Sequence, residues 1–347
     1  MKVTLTDIAR KLGVSASTVQ RALGGLEGVG EEKRDRIKQV AEEMGYRRNL
    51  TASALKTGTR TIGVILPEPV RDNRFYAKFL WEGALRCCGE YKEFNLDVAE
   101  FTYVRTPESH VAALRDVLNR HGGGLDGVLT MGVAAPGAAK AFAGFREKNI
   151  PVVFVGTDTG APDRLCCVRT YDEMAGRMVA DLLINFTAPK KGGKVVMTGD
   201  FAIPDQFYNA QGFERHMYES AAPLAIHKLA ADLDLKAVKK TVRRILDSDA
   251  DVHAVYATSS RNTVPVCEAV EESGRKPHVL GSDIFPESVD FLRRGVLNAT
   301  IHKRPSDQAY RAMQTLVDIV VKGKKVPEDT ILIDPVIVMK SNLECFL

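Results

Sequence analysis

The sequence predicts a multidomain chain: an all-α helix-turn-helix headpiece at the N-terminus, followed by an α/β core of two lobes. Three observations carry this. At 347 residues the chain exceeds the roughly 250–300 residues that one hydrophobic core serves, so at least two folding units are expected. The apolar periodicity changes near Thr61 from helical spacing to short β-rich runs alternating with helical stretches. The charge changes at the same place: residues 1–60 hold 12 Lys/Arg against 7 Asp/Glu, and the remainder hold 36 against 37. A basic excess confined to one segment points to a polyanionic partner for that segment alone.

Composition narrows the class further. Hydrophobic residues at 45% and charged residues at 27% are those of an ordinary globular protein. No stretch approaches the roughly 18 apolar residues that span a bilayer. Asp7 stands where a secretory peptide has its apolar segment, so a cytoplasmic location is expected. The six cysteines, Cys87-Cys88, Cys166-Cys167, Cys267 and Cys345, have no spacing suited to zinc and are expected to be reduced and mostly buried. Neither a metal nor a cofactor is expected.

In the headpiece, Thr4 and Asp7 form a variant of the capping box, and Leu5, Ile8, Ala9 and Leu12 make one apolar stripe, which predicts a helix over about 5–12. Gly13 suits the left-handed residue that ends it. Ser15 caps a second helix whose inward face is Val19, Ala22 and Leu23. Ser17 and Arg21 then face outward, with Thr18 and Gln20 beside them and Ala16 at the tip. A third helix over about 31–44 buries Ile37, Val40, Ala41 and Met44 and closes at Gly45. Two helices joined by a tight turn are the unit that lays its second helix in the DNA major groove, where an arginine pairs with guanine O6 and N7. A plain three-helix core with solvated charges fits the helix pattern alone.

Candidate strands of the core are 62–66, 96–101, 127–131, 152–155, 195–198, 254–258 and 279–281, with a last strand over Ile331 to Met339. Helical stretches between most of them argue for parallel strands with right-handed crossovers. Ligands in such folds bind beyond the carboxyl ends of the strands. The loops at 67–75, 132–137, 156–160, 200–209, 258–262 and 283–286 are therefore the expected lining of a site.

The run from Thr4 to Leu23, with Ala41-Glu42-Glu43-Met44-Gly45-Tyr46-Arg47, Asn49, Ala52, Leu55-Lys56-Thr57-Gly58-Thr59-Arg60 and Thr61-Ile62-Gly63-Val64, closely resembles the LacI/GalR family of bacterial transcription regulators. The resemblance implies a DNA-binding headpiece over 1–48, a hinge helix and linker over 49–59, and a core over 60–347 like the type I periplasmic binding proteins. Its first lobe is then expected at about 60–158 and 302–324 and its second at about 159–301 and 325–347, with crossovers near Thr157–Gly160, Thr300–His302 and Lys324–Glu328. The resemblance also implies that Ala16, Ser17 and Arg21 face bases beside Gln20. Thr4, Ser15 and Thr18 sit near phosphates, and a hinge helix capped by Asn49 enters the minor groove with Ala52, Leu55 as wedge and Lys56. Eight residues are too few to hold a helix alone in water, so such a hinge orders only when two copies pack together.

For the core, the resemblance implies an effector in the cleft touching Asn73, Phe75 and Tyr76 of the run Asp72-Asn73-Arg74-Phe75-Tyr76, together with Asp158, Asn209, Thr258 and Asp283. A carboxylate and an aromatic plane suit a neutral sugar or polyol. Several positions depart from the family pattern: Arg48, Ser53 and Gln20 in the headpiece and hinge, and Asn209, Thr258-Ser259, Leu233 and Lys303 in the core. Asn209 stands where an arginine often holds the effector, while Arg74, Arg169 and Arg261 remain available to an acidic ligand.

The expected function is an effector-controlled repressor of carbohydrate-related genes acting as a homodimer on pseudo-palindromic operator DNA. A corepressor-dependent repressor or an activator with a non-sugar effector is the alternative. The chain has no G-x-G-x-x-G after its first strand, no P-loop, no G-x-S-x-G and no H-E-x-x-H, so it is not expected to be an enzyme. A transport binding protein fits the core pattern but not the headpiece.

Overall fold

The computed structural model describes residues 3–24, 28–46, 58–187, 193–220, 224–230, 234–326 and 328–347. The chain forms two compact units, Met1–Thr57 and Gly58–Leu347.

In the first unit, α1 (Leu5–Leu12) opens at Thr4, whose side chain accepts from the Asp7 N–H while the Asp7 side chain takes the Thr4 N–H. Such a cap contributes about 1 kcal/mol. Gly13 ends the helix at φ 63°, a left-handed conformation that a side chain disfavours. Two residues later α2 (Ala16–Gly24) begins, with the Thr18 N–H bonded to Ser15 Oγ at 3.1 Å. With α3 (Glu31–Glu43) these helices bury Ile8, Val19, Ala22, Ile37 and Val40 around one small core. The expected boundaries of α1 and α3 match these within a residue.

The second unit holds two six-stranded sheets. The first has the order β11-β5-β4-β3-β1-β2 and is parallel throughout. Its strands are β1 (Arg60–Pro67), β2 (Leu96–Tyr103), β3 (Gly127–Thr130), β4 (Val152–Val155), β5 (Cys166–Thr170) and β11 (Thr330–Ile333). The second has the order β12-β10-β9-β8-β6-β7. It is built from β6 (Lys194–Gly199), β7 (Ala225–Ala230), β8 (Val252–Ala257), β9 (His278–Ser282), β10 (Ala299–His302) and the antiparallel β12 (Val336–Val338).

Helices cover both faces of each sheet, as parallel strands buried on both sides require. On the first sheet, α4 (Ala77–Glu90) and α12 (Pro305–Val320) pack over Ile62, Val64 and Leu129, and α5 (Pro107–Arg120) and α6 (Ala138–Glu147) cover Ile65 and Val128. On the second, α7 (Asp172–Thr187) and α8 (Pro204–Glu219) lie over Val195, Met197 and Tyr256. The opposite face carries α9 (Leu235–Ser248), α10 (Ser260–Ser273) and α11 (Pro286–Arg294). Helices α7 and α8 meet backbone to backbone, because Gly176 faces the Asn209 carbonyl and Gly212 faces that of Glu173. Burial pushes the Cys166 thiol up to about 11; five of the six cysteines are buried and Cys345 is exposed.

Two expectations need correction. The single last strand over Ile331 to Met339 is two strands in different sheets, separated at Asp334-Pro335, because proline cannot donate to a ladder. The crossovers also move. The chain leaves the first sheet after Thr170, not near Thr157–Gly160, and crosses for the third time at Asp334-Pro335, not at Lys324–Glu328. The second crossover, at Lys303-Arg304, lies next to its expected place. The unforeseen β5 accounts for the first shift: its five residues are almost wholly buried and show no alternation. β7 was also missed, as an edge strand with four of its six positions exposed and its apolar run broken by His227 and Lys228, and β10 lies where only a crossover was expected.

Candidate functional site

The headpiece presents one polar helix face. Ser15, Ala16, Ser17, Gln20 and Arg21 are exposed, Thr18 is half-buried, and Val19 and Ala22 point into the core. The hydroxyls form a small network in which Ser15 Oγ lies 2.8 Å from both Ser17 Oγ and Thr18 Oγ1. Thr4 is exposed, with its hydroxyl 2.6 Å from Asp7 Oδ2. Of the remaining expected DNA contacts, Asn49, Ala52, Leu55 and Lys56 lie outside the described residues, as do Arg48, Ser53 and Leu233.

In the core a cavity of about 380 Å³ opens between the carboxyl ends of both sheets, within the roughly 300–1,000 Å³ of small-molecule sites. Pro67 ends β1 and Arg105, Met131 and Thr157 follow β2 to β4 on one side, and Asp205, Ser259, Asp283 and Lys303 follow β6, β8, β9 and β10 on the other. Both sheets reverse their strand order here, between β1 and β3 and between β6 and β8, which opens the crevice. Tyr76, Tyr103, Met131, Ile203 and Pro204 supply its apolar wall.

His110 lines the cavity as a neutral ring. It stacks on Tyr103 with centroids 4.1 Å apart, and its Nε2 donates to Thr130 Oγ1 at 2.9 Å, since that hydroxyl spends its own proton on the Ile65 carbonyl. Burial lowers its pKa to about 4. Asp283 and Lys303 form the floor. Asp283 stands at φ 63° and accepts the Lys303 N–H at 2.8 Å, and Lys303 Nζ donates to the Thr258 carbonyl at 3.0 Å. Thr157 Oγ1 reaches Asp205 Oδ1 at 3.4 Å, one lobe to the other.

A smaller recess of about 320 Å³ adjoins the cavity at the first crossover, lined by Asp158, Arg169, Asp172 and Tyr208 among others. Asp172 is buried there beside Arg169, Nη1 to Oδ2 3.1 Å. Burial pushes its carboxyl up to about 7, against the opposing pull of Lys303 and Arg169.

The structure brings together only part of the expected effector set. Tyr76 and Asp283 line the cavity, while Asn73, Phe75, Asn209 and Thr258 do not. Phe75 is buried on Phe285, ring centroids 4.8 Å apart. Asn209 is wholly buried and accepts from the Tyr256 hydroxyl. Thr258 donates its hydroxyl to the Thr198 carbonyl and lies 3.1 Å from Gln206 Oε1. Asp158 lines the recess and is held by Arg164 through two bonds of 2.8 and 2.6 Å. In place of the missing contacts, Arg105, His110, Asp205, Ser259, Ser260 and Arg261 face the cavity. The loop after β2 went unconsidered, although a strand end was signal enough to include it.

Two doubly wound lobes around a cleft, preceded in the chain by a basic helix-turn-helix unit, define a DNA-binding transcription regulator with a periplasmic-binding-protein-like core. Sequence comparison agrees: residues 62–325 match the family described as periplasmic binding protein domain, and residues 4–49 match the bacterial regulatory proteins of the lacI family. The chain belongs to the lacI family of bacterial regulatory proteins. It is 24% identical over 331 residues to catabolite control protein A of Staphylococcus epidermidis, covering 94% of this chain and 92% of that one. The regulator RafR of Escherichia coli is 46% identical over 67 residues, 19% of this chain and 20% of its own. Among solved structures, GanP, a glucose-galactose binding protein from Geobacillus stearothermophilus, superposes with TM-score 0.71 at 23% identity, over 83% of this chain and 99% of its own.

Proposed function

We propose that the chain is a repressor whose affinity for operator DNA is set by a small polyhydroxy effector bound between the lobes. The observation that carries this is the cavity at the carboxyl ends of both sheets, with an apolar aromatic wall and a carboxylate floor. Such a mixture suits a sugar ring, whose hydroxyls need acceptors and whose ring face needs an apolar cover. GanP, named as a glucose-galactose binding protein, is built on the same core fold.

On this reading Ala16, Ser17, Gln20 and Arg21 meet base edges, and Thr4, Ser15 and Thr18 meet phosphates. Asn49, Ala52, Leu55 and Lys56 contact the same DNA. The functional unit is then a homodimer on a pseudo-palindromic site, its symmetry mirrored in the DNA. Tyr76 and Asp283 hold the effector.

Fluorescence anisotropy of the full chain on its operator, titrated with aldoses and alditols, tests the proposal. Release of the operator by a compound at micromolar to millimolar concentration is expected. Tighter binding in place of release would make the same site one for a corepressor. An operator affinity that no ligand of the cavity alters would remove the effector from the account.

A further inference from the structure

We infer that the effector is a disaccharide, with one sugar ring in the cavity at the strand ends and the second in the recess at the first crossover, against Tyr208. The inference rests on the proposed effector site and names the ligand class that site takes.

The cavity and the recess are one space with a waist. Thr159, Pro204 and Asp205 line both. At about 380 and 320 Å³ the two compartments are nearly equal, and each is the size of a small-molecule site in its own right. A single ring occupies one compartment and leaves the other to water. Two linked rings, with the glycosidic bond at the waist, occupy both and bury most of the ligand's surface, as such sites do.

The recess offers what a neutral ring needs and withholds what an anion needs. Arg169 donates to Asp172 Oδ2 at 3.1 Å and to the Thr170 carbonyl at 3.2 Å, and Asp158 accepts two bonds from Arg164. The remaining acid, Asp205, forms no ion pair among the described residues; its contact is the Thr157 hydroxyl at 3.4 Å. With Arg169 set against Asp172 and Arg164 against Asp158, the charge left over is the Asp205 carboxylate, which repels a phosphate or a carboxylate and accepts from hydroxyls. At the same waist the Thr159 hydroxyl oxygen is buried with no partner among the described residues, an unfavourable state that a ligand hydroxyl relieves.

Tyr208 supplies the apolar cover. It is 44% exposed in the first turns of α8 and lines the recess beside Pro204. Its ring does for the second sugar what Tyr76 and Tyr103 do in the cavity, since a sugar ring has an apolar face as well as a polar rim. The recess is also placed for control. Asp158 and Gly160 belong to the first lobe, Pro204 and Tyr208 to the second, and Arg169 and Asp172 flank the crossover between them. A ring held there touches both lobes at their joint, so its binding free energy differs between lobe arrangements, which is what an effector requires.

Isothermal titration calorimetry on the full chain tests this, using α- and β-linked hexose disaccharides, each set against its constituent monosaccharides, with glucose 6-phosphate as an anionic control. At least one disaccharide is expected to bind as one molecule per chain, ten-fold or more tightly than either of its monosaccharides. Tyr208→Ala should erase that excess while changing monosaccharide affinity less than about two-fold, which also shows that the variant is folded, and Tyr208→Phe should keep it. Monosaccharides that bind as tightly as every disaccharide containing them overturn the inference and leave the polyhydroxy effector standing. So does an excess that survives Tyr208→Ala, the binding of two monosaccharide molecules per chain, or a preference for the phosphate. Binding by no sugar of the panel overturns both.

Discussion

Arg74, in the segment after β1, forms an ion pair with Glu287 in the first turn of α11, and so ties one lobe to the other. Beside it Phe75 packs on Phe285, and the Arg74 guanidinium lies 4.1 Å from the Phe75 ring centre. The family resemblance assigns Phe75 to the effector, but the ring serves as a contact between lobes. The apolar part of this clasp should dominate, because both charges are partly exposed and exposed pairs contribute about 0–1 kcal/mol.

Phe75→Ala is therefore expected to lower stability by about 3 kcal/mol and to weaken effector binding, and Glu287→Gln to change stability by less than about 1 kcal/mol. Thermal denaturation and calorimetry of the two variants measure this. Equal losses would show that the ion pair, not the ring contact, holds the lobes.

Two buried groups give the core opposite pH dependences. The His110 pKa falls from 6.5 to about 4 in the folded chain, so its contribution is present above about pH 6.5 and is lost as pH falls through 4. A shift of that size corresponds to about 3 kcal/mol. The Asp172 pKa rises from 3.8 to about 7, so its contribution is present below about pH 3.8 and is lost as pH rises through 7. Urea denaturation from pH 4 to 8 should show His110→Gln with a flatter acid limb and Asp172→Asn gaining on the parent as pH rises. Unchanged pH profiles in both variants would refute these assignments.

Asp283 combines a left-handed backbone with a hydrogen bond to the second crossover. Asparagine tolerates that conformation and can still accept the Lys303 N–H. Asp283→Asn should accordingly fold normally while its effector affinity falls about ten-fold, the loss of one charge-assisted bond of roughly 1.4 kcal/mol. Circular dichroism and calorimetry separate the two effects, and full affinity in the variant would take Asp283 out of the binding site.

How much of this was legible in the sequence depends on how local each signal is. The Thr4 cap, the Gly13 turn and the exposed face of α2 follow from neighbours within one helix, and all were foreseen. The cavity's general position was foreseen too, because strand ends mark it. The fate of single side chains was not. Asn209 and Thr258 occupy the expected loops and helix start, yet their partners, Tyr256 and Gln206, lie 47 and 52 residues away. Arg105, in the loop after β2, becomes a lining residue only once the sheet sets that strand end at the opening. The split of the last strand was signalled by Pro335 and went unread.

The basic balance of residues 1–60 implies that operator binding weakens steeply with salt. A logarithmic slope matching roughly 6–10 phosphate contacts is expected, and filter binding from 50 to 200 mM salt measures it. A slope near zero would contradict a phosphate-anchored headpiece.

The central claim, that α2 reads base sequence, is tested most directly by selecting double-stranded DNA from a random pool with the full chain and with Arg21→Ala. Arg21 is the long outward donor of that helix, and one good bidentate base contact discriminates by about 1–3 kcal/mol. The parent should enrich a pseudo-palindrome, and the variant should lose the preference for guanine at one symmetric position in each half-site. Enrichment of no common sequence by the parent, or of the same sequence with undiminished preference by the variant, would contradict the account.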